Sequence, residues 1–553
     1  MMDKRNLLKL MVLALGVSVL LFVFGYPRGV QPIDEHTIRY VIEQEPSTLD
    51  PAKSTTSPEA TVQLQLFDGL VRLNDESEPE AALAKKWEIS DDGREYTFHL
   101  RPDLKWSNGE PLTAHDFEYA WKRVLDPEVH ADNAYMLYVL KNGEAFNSGD
   151  AKAEDVGVKA IDDDTLVVTL ENPTAYFLKL LASHSFYPVS KKAVDAHENW
   201  AANAETMVSN GPYRLLSWKH NGEMDFIKNP NYWDAESVKT EKMNWPISES
   251  QSTRLTLVEG GEADMMVEPP VADQKRLEEA GLLHIGPMLG NYYYVFNVKA
   301  DPFTNPDVRK AFSMVINRAN IVNNIVRGGK EAAYAFVPYG MLESNGREDF
   351  REAGSYLVYE DVEQAKEILK KAGYDKNHPL PQITILYNTS ELHKSIAEAI
   401  QDAWVNAFDA DVRLQNQETK VFLADREAGK YQVARASWVA DYSDPQNFLE
   451  VFSAEDNDGQ YHSDEYNELI ARIRITPNGA ARDALMHEAE KMIFDESLVM
   501  PLYFTTQPYV TNGTIQNYFW TTLGLVDFKK AYKSDTLKTY TRCTSFVVFY
   551  EDI

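Results

Sequence analysis

The chain has 553 residues, which is too many for one hydrophobic core and indicates two or three domains. Its 44% hydrophobic and 25% charged residues are typical of a globular protein and exclude disorder on a large scale. The formal net charge of −30 argues against nucleic acid as a partner, and the one cysteine, Cys543, excludes an internal disulfide and a cysteine-based zinc site. We expect no cofactor and no metal site.

The first 26 residues have the pattern of an export signal. Lys4, Arg5 and Lys9 precede the apolar run 11–24, and no small-x-small cleavage site follows it. The segment 7–26 has 20 residues, which is long enough to cross a bilayer. Residues 1–31 are therefore expected to be an export signal or an uncleaved membrane anchor, which places the protein in the periplasm or on the outer face of the cell membrane.

The N-terminal half of the chain alternates strands with turns. Residues 37–42 have the pattern of a strand, and 64–73 have apolar residues at helical spacing. Residues 87–100 and 156–170 each read as a β-hairpin, with turns at Asp91-Asp92-Gly93 and 162–164. Between the hairpins, Thr113 and Asp116 have the spacing of a capping box and predict a helix through Trp121.

The middle of the chain contains an aromatic strand and two predicted helices. The strand covers 292–297, and we place a domain boundary near Gly290. The segment 302–307 opens a long helix, with Arg309 and Lys310 opposite an apolar stripe formed by Val308, Phe312, Val315 and Val322. A second helix over 361–371, ended by Gly373, has four residues predicted to face inward: Val362, Ala365, Ile368 and Leu369.

Strands and helices alternate regularly after residue 383. Strands are predicted at 383–387, 412–415 and 431–438, with helices at 394–408 and 419–428 between them. This order predicts βαβ crossovers and a parallel sheet. The carboxyl ends of its strands bring residues 388–393, 416–418 and 438–441 to one edge, where α/β proteins bind ligands. A further helix at 481–494 and a strand at 499–504 follow before 508–528 return to the first part of the chain.

Two opposite charges stand out at the last of these strands. Asp441 lies just past its carboxyl end, beside aromatic residues, and Arg435 lies six residues earlier. A carboxylate there attracts a cation, and an arginine attracts an anion. A ligand with an ammonium at one end and a carboxylate at the other, such as a peptide, satisfies both. The alternative is that Asp441 only forms the turn after the strand or caps a helix.

Three separate stretches carry a resemblance to a known family. They are Leu49-Asp50-Pro51, the run 105–117 with its Lys-Trp-x-x-Gly and Thr-Ala-x-Asp-Phe parts, and the Trp-x-Ala-Asp-Tyr run at 438–442. Through these three stretches, the segment 36–532 resembles the bacterial extracellular solute-binding proteins of family 5. The resemblance is greatest to the members that bind oligopeptides for ABC importers. The resemblance implies a type II periplasmic-binding-protein-like α/β fold, with two lobes of mixed sheets, an extra α/β domain and the ligand in the cleft between the lobes.

The resemblance also suggests a division of the chain. Residues 36–67, 193–289 and 506–533 form the first lobe, 68–192 an extra domain inserted in it, and 290–505 the second lobe. Residues 534–553 are a C-terminal extension to which we assign no role.

In the family, the aspartate at the position of Asp441 binds the free α-amino group of the peptide. One histidine and two arginines at matching places face peptide carboxylates, which implies this role for His393, Arg426 and Arg435. Each of these has a local alternative, since the arginines can pair with an aspartate such as Asp425 and the histidine can cap a helix. The sequence departs from the family at three positions: Val326, with Arg327 beside it, replaces a lysine, and Thr55 and Val295 replace acidic residues.

The centre of the ligand is expected to bind the backbone. Ser437 to Val439 form an extended run that can pair with a peptide by β-augmentation. Trp438, Tyr442 and Tyr293 are predicted to wall the side-chain pockets.

We therefore expect a monomeric, exported binding protein that captures peptides and passes them to a membrane ABC permease, without nucleic acid as a partner. Alternatives within the family are receptors for dipeptides, cell-wall peptides, signalling peptides or nickel complexes. No serine-hydrolase, zinc-protease or Walker motif occurs in the sequence, so we expect no enzyme. A secreted glycosidase is the remaining alternative, because 85 acidic residues make a chance carboxylate pair common.

Overall fold

The structure is a computed structural model that describes residues 36–354, 358–453 and 457–534. The predicted export signal or anchor (1–31) and all of the predicted extension except Ser534 lie outside these ranges. Within them, no helix is both long and apolar enough to cross a bilayer.

A seven-stranded mixed sheet collects strands from distant parts of the chain, and we call the region around it the first lobe. Ile38–Val41 pairs in parallel with both of its neighbours, and all other pairs are antiparallel. Helices Ser57–Leu66, Gln251–Glu259 and Val271–Glu279 contact this sheet. The spatial order of the strands is Leu283–Gly286, Gln507–Thr511, Met265–Val267, Ile38–Val41, Lys242–Pro246, Glu223–Lys228 and Tyr213–Lys219.

A six-stranded sheet forms the centre of what we call the second lobe. Its last three strands in space are parallel and are joined by helices Thr419–Glu427 and Glu391–Phe408, which confirms the predicted βαβ alternation. The residues Ile396, Ile400 and Trp404 of the longer helix are fully buried. The strands follow the order Glu331–Ala332, Val499–Phe504, Gly290–Phe296, Val433–Val439, Ile383–Asn388 and Val412–Gln417.

The aromatic strand Gly290–Phe296 is buried along its whole length, because sheet neighbours lie on both of its edges and helices or loops cover both of its faces. Its first residue is a glycine for a steric reason. A Cβ at Gly290 would lie 2.8 Å from the carbonyl oxygen of Trp438 and 2.5 Å from Oγ1 of Thr505. Glycine therefore lets this strand approach the segment that ends at Asp441.

A four-stranded antiparallel sheet contains both predicted hairpins, in the order Ala84–Ile89, Glu95–Leu100, Thr165–Thr169 and Val158–Asp162. Helix Ala114–Leu125 packs on it and begins with the predicted capping box, in which the backbone N–H of Thr113 donates to Oδ2 of Asp116 at 2.8 Å. We call this sheet and its helices the inserted region. The domain limits drawn from the sequence remain a prediction.

Shorter elements complete the fold. Helices Asp464–Ile475 and Ala480–Asp495 pack on each other in the second lobe. Two-residue and three-residue strands pair as Val71–Leu73 with Pro79–Ala81, Ile515–Gln516 with Tyr532–Lys533, and Phe519–Trp520 with Val526–Asp527. The remaining α-helices are Gly143–Asn147, Phe177–Leu180, Lys191–Ala196, Pro306–Met314, Arg318–Asn320, Phe350–Ala353, Val362–Lys371 and Gln446–Leu449, and the 3-10 and π helices are Ala134–Leu137, Ala153–Asp155, His184–Phe186, Glu450–Phe452 and Ile321–Val326.

The helical pattern expected over 64–73 was wrong in its position. The helix is Ser57–Leu66, and Val71–Leu73 is a strand. Phe67 is already extended, and Oδ1 of Asn210 accepts a hydrogen bond from the backbone N–H of Asp68 at 3.1 Å. This contact with a distant segment ends the helix, and the local sequence does not reveal it.

The helix expected after residue 302 forms, with Val308 and Phe312 buried, but it is shorter than expected. It ends at Met314, and Arg309, expected opposite the apolar stripe beside Lys310, is buried. Its guanidinium donates to the backbone carbonyls of Phe303 at 2.6 Å, Glu496 at 3.0 Å and Ser497 at 3.2 Å. Arg309 therefore satisfies carbonyls at the end of helix Ala480–Asp495, which have no partner within that helix. In helix Val362–Lys371, Val362 was predicted to face inward but is exposed at the first position.

Exchange of Arg309 for methionine tests this role. Arg309→Met keeps the side-chain length but leaves buried carbonyls without donors, at about 1–3 kcal/mol for each unsatisfied group. We expect the free energy of unfolding to fall by about 3 kcal/mol or more, measured by urea denaturation. Lys310→Met, at the exposed neighbour, is the matched control and should change it by less than about 0.5 kcal/mol. Equal effects of the two exchanges would contradict the role of Arg309.

Candidate functional site

The three parallel strands of the second lobe end at the same edge of the sheet, as the sequence predicted. Asn388 pairs with Gln417 at the ends of their strands, and the third strand ends at Val439. The segments that follow, including Asp441 and the start of helix Glu391–Phe408, are therefore neighbours at this edge.

Strand Val433–Val439 has one fully paired side and one side that is paired only near its start. It pairs with Gly290–Phe296 over seven residues, but with Ile383–Asn388 only at Val433 and Ala434. The backbone N–H of Ala440 donates to the carbonyl of Leu289 at 2.8 Å, which sets the alternation of hydrogen bonds along the antiparallel pair. By this alternation, the backbone N–H and C=O groups of Ser437 and Val439 point toward the open side.

Asp441 is a half-buried carboxylate that accepts two hydrogen bonds. Its Oδ2 accepts from the hydroxyl of Tyr135 at 2.9 Å and from Nδ2 of Asn447 at 3.2 Å. Among residues 36–354, 358–453 and 457–534, no Lys, Arg or His forms a salt bridge with it. Burial raises the pKa of Asp441, and the two hydrogen bonds act against that rise. The carboxylate thus has neutral donors but no cation.

Asn447 holds the Asp441 turn together. Its Oδ1 accepts from Nε1 of Trp438 at 2.9 Å and from the backbone N–H of Asp441 at 3.1 Å. The bond to Asn447 fixes the indole of Trp438 next to the turn. Sequence reasoning missed this asparagine, because an amide in the short helix after a Ser-Asp-Pro turn has no distinctive spacing.

Tyr135 was also missed. It lies in the short helix Ala134–Leu137 of the inserted region, 306 residues before Asp441 in sequence. No local pattern links positions so far apart. Its contact brings the inserted region and the second lobe together at the candidate site.

Tyr442 makes a second contact between these two parts. Its ring stacks on Tyr176 of the inserted region, with centroids 4.2 Å apart and an interplanar angle of 9°. Nε2 of Gln446 donates to the hydroxyl of Tyr176 at 3.1 Å, and the guanidinium of Arg482 lies 5.9 Å from the ring centroid of Tyr176. Tyr442 was predicted as a pocket wall, but this stacking buries its ring between the two parts.

A cavity of about 200 Å³ lies beside Asp441. Its walls come from the first lobe, the inserted region and the second lobe, so it lies where the three meet. The residues around it include Thr55, Thr56, Ser57, Leu64, Leu73, Met136, His184, Val439, Ala440, Asp441, Leu523 and Leu525. Thr55, the position at which the family has an acidic residue, is thus at the cavity.

Arg435 lies on the same strand as the open edge and has no acidic partner within salt-bridge distance in the described part of the chain. Its Nη2 donates to Oγ of Ser437 at 3.2 Å, and its guanidinium lies 5.2 Å from the ring centroid of Tyr292. A cation held by a hydroxyl and an aromatic face keeps its charge available for an anion.

His393 joins Arg435 through Tyr292. Nδ1 of His393 lies 3.0 Å from the hydroxyl of Tyr292, and the two rings are 5.6 Å apart. Burial, together with the positive charge of Arg435, lowers the pKa of His393 to about 4. The imidazole is therefore neutral near pH 7, and the cluster carries the charge of Arg435 alone.

The other predicted residues are engaged elsewhere. Arg426 pairs with Asp458 through Nε at 3.0 Å, while the aspartate suggested from the sequence, Asp425, accepts from Gln417 and Lys430. Tyr293 is buried and packs edge-to-face on Phe336, with centroids 5.0 Å apart. Val295 and Val326 are buried, and Arg327 is half-buried.

Two lobes built on mixed sheets, with a charged strand-end site where they meet, define a ligand-binding protein of the type II periplasmic-binding-protein fold. Residues 78–460 match the family described as bacterial extracellular solute-binding proteins, family 5. The chain belongs to this family, whose members are binding proteins.

Three relatives illustrate the similarity. The dipeptide-binding protein DppE of Bacillus subtilis is 38% identical, over 89% of this chain and 91% of its own length. The oligopeptide-binding protein OppA of the same organism is also 38% identical, over 90% of this chain and 92% of its own length. The crystal structure of Haemophilus influenzae OppA in complex with RPPGFSPFR is 30% identical, with a TM-score of 0.76, over 90% of this chain and 99% of that chain.

The low pKa of His393 gives a test of the Arg435 cluster. Arg435→Gln removes the positive charge that disfavours imidazolium, so the pKa of His393 should rise from about 4 but stay below the ordinary 6.5, since burial remains. Between these pH values the unfolded chain binds the proton and the folded chain does not, so acidification through this window destabilises the parent protein. NMR of labelled histidine, assigned with His393→Gln, measures the shift.

Arg426→Gln is the matched control. Because Asp458 already balances Arg426, its removal should leave the pKa of His393 near 4. A His393 signal that titrates identically in Arg435→Gln and in the parent would contradict the arrangement of the cluster.

Proposed function

We propose that the protein is the extracellular substrate-binding component of an ABC importer, which captures peptides and delivers them to a membrane permease. The observation that carries this proposal is a pair of uncompensated charges along one open strand edge: within residues 36–354, 358–453 and 457–534, Asp441 pairs with no cation and Arg435 with no anion. A zwitterionic peptide balances both. The names of the relatives, which bind dipeptides and oligopeptides, support the same class of ligand.

The α-amino group of the peptide binds Asp441 in this proposal. The ammonium supplies the missing positive charge, and its protons complement the two hydrogen bonds that Tyr135 and Asn447 already donate to the carboxylate. An ion pair of this kind, removed from water and hydrogen-bonded, is strong.

The peptide carboxylate binds Arg435, with neutral His393 beside it. Arginine suits a carboxylate because its planar group donates two parallel hydrogen bonds. Arg426 is paired with Asp458, so we assign it no direct contact with the carboxylate. Its Nη1 lies 3.4 Å from the backbone oxygen of Arg435, next to the peptide.

The backbone of the peptide pairs with the open side of Ser437 and Val439, as an added strand. Main-chain hydrogen bonds do not read side chains, so this pairing accommodates many sequences. Trp438, fixed by Asn447, walls one side of the bound chain. The opposite charges of Asp441 and Arg435 favour a peptide over a nickel complex among the ligands of the family.

We further infer that residues 1–31 direct export and keep the protein at the outer face of the membrane or in the periplasm. The protein acts there as a monomer and releases its ligand chemically unchanged. An assay that finds turnover of peptides or polysaccharides, instead of stoichiometric binding, would contradict the binding role.

The ion pair at Asp441 is testable with a double-mutant cycle. Asp441→Asn keeps the size of the side chain and removes its charge, and N-acetylation of the peptide removes the ammonium. Breaking one side of a buried ion pair costs about 3–5 kcal/mol, which is on the order of a hundred- to a few-thousand-fold in dissociation constant. The two losses should not add, because they delete the same interaction. Isothermal titration calorimetry on all four combinations measures this.

Asp425→Asn makes the same charge change on helix Thr419–Glu427 and should leave the affinity unchanged. If Asp441→Asn binds free peptide as tightly as the parent, or if the two losses sum, Asp441 is a turn residue and not the amine site.

Closure of the lobes gives a second test. A peptide bound to Asp441 of the second lobe and enclosed by the first lobe at Thr55 contacts both, so binding should bring them together as a hinge motion. We expect small-angle X-ray scattering to show a smaller radius of gyration at saturating peptide. The same peptide with both termini blocked serves as the control. An unchanged scattering profile at saturation with free peptide would count against binding between the lobes.

A further inference from the structure

We propose that the cavity beside Asp441 selects an uncharged, apolar side chain of about leucine size on the first residue of the peptide. This inference rests on the proposed function, because it takes Asp441 as the amine site. It adds a preference in sequence to a site whose main-chain contacts do not read sequence.

The position of the cavity assigns it to the first residue. Val439, Ala440 and Asp441 form one of its walls. An ammonium bound to Asp441 places the Cβ of the same residue only two bonds from the bound nitrogen, at the cavity. Side chains alternate in an extended chain, so the second residue points to the opposite side.

Part of the cavity lining is apolar. Leu73 and Leu525 are half-buried, line the cavity and belong to none of the packed apolar cores of the described residues. They come from two segments far apart in sequence, with Leu64 and Met136 beside them. Covering the apolar surface of a cavity with an apolar group removes that surface from water, which favours binding.

The ionic groups at the cavity are already balanced. Arg72 is buried and forms salt bridges with Asp68 and Asp527, the latter at 2.6 Å. The hydroxyl of Tyr232 also donates to Asp68, at 2.7 Å. A charged ligand side chain would find no opposite charge here except Asp441, which the ammonium occupies.

His184 adds no charge near neutral pH. Burial lowers the pKa of His184, and its Nε2 lies 3.1 Å from the backbone oxygen of Ser54 and 3.3 Å from Nδ2 of Asn133. The hydroxyl-bearing Thr55 and Ser57 are exposed and belong to the rim. A charged side chain would thus lose water without gaining an opposite charge, which is costly.

Calorimetry with tripeptides that differ only in the first residue tests the preference. Leu-Ala-Ala, Ala-Ala-Ala, Asn-Ala-Ala and Glu-Ala-Ala are the probes, and leucine and asparagine are similar in size. We expect Leu-Ala-Ala to bind at least about tenfold more tightly than Asn-Ala-Ala, a ratio ordinary for apolar pockets. Glu-Ala-Ala should bind most weakly of the four.

Two variants locate the preference. Leu525→Asn and Leu73→Asn should each reduce the ratio between Leu-Ala-Ala and Asn-Ala-Ala several-fold, while Leu216→Asn, at an exposed leucine away from the cavity, should leave it unchanged. Circular dichroism and binding of Ala-Ala-Ala check that each variant is folded. Where a variant does not fold, the series on the parent protein decides.

The outcomes separate the two proposals. If none of the four peptides binds, the proposed function fails. If all four bind the parent equally, or if folded Leu525→Asn and Leu73→Asn keep the full ratio, peptide binding stands and the selection by this cavity is wrong.

Discussion

The candidate site centres on the half-buried carboxylate of Asp441, which forms no salt bridge within residues 36–354, 358–453 and 457–534. Burial raises the pKa of Asp441, and the hydrogen bonds that Tyr135 and Asn447 donate to it act against that rise. Burial of a carboxylate is costly unless hydrogen bonds or an opposite charge compensate it. Since Tyr135 belongs to the inserted region, this environment exists only when that region meets the second lobe.

An open strand edge normally invites aggregation, and this fold controls it by position. Strand Val433–Val439 is fully paired on one side, and on its other side it pairs with Ile383–Asn388 only at Val433 and Ala434. The open length is short and lies next to the Asp441 turn, close to contacts with the inserted region such as the stack of Tyr176 on Tyr442. The backbone groups that could pair with another copy of the chain are therefore confined to this short stretch beside the Asp441 turn.

The arginines of the second lobe differ in the partners that their guanidinium groups meet. Arg309 and Arg482 are buried and satisfy carbonyls or an aspartate within the second lobe, and Arg426 is balanced by Asp458. Arg435 differs, because its neighbours are a hydroxyl and the ring of Tyr292. Neutral His393 completes this neighbourhood without competing for an anion. The charge of Arg435 remains available on the open strand.

The sequence by itself determined the features that local spacing encodes. Strand and helix periods indicated the βαβ order, the capping box at Thr113 began its helix, and the end of the strand put Asp441 at the carboxyl edge of the sheet. Only the tertiary structure decided which polar partners each side chain meets. Tyr135 lies 306 residues from Asp441, and Asp458 lies 32 positions after Arg426, so no local pattern marks either contact. Hydrogen bonds and ion pairs act over a few ångströms in space, and only the folded chain brings such distant residues that close.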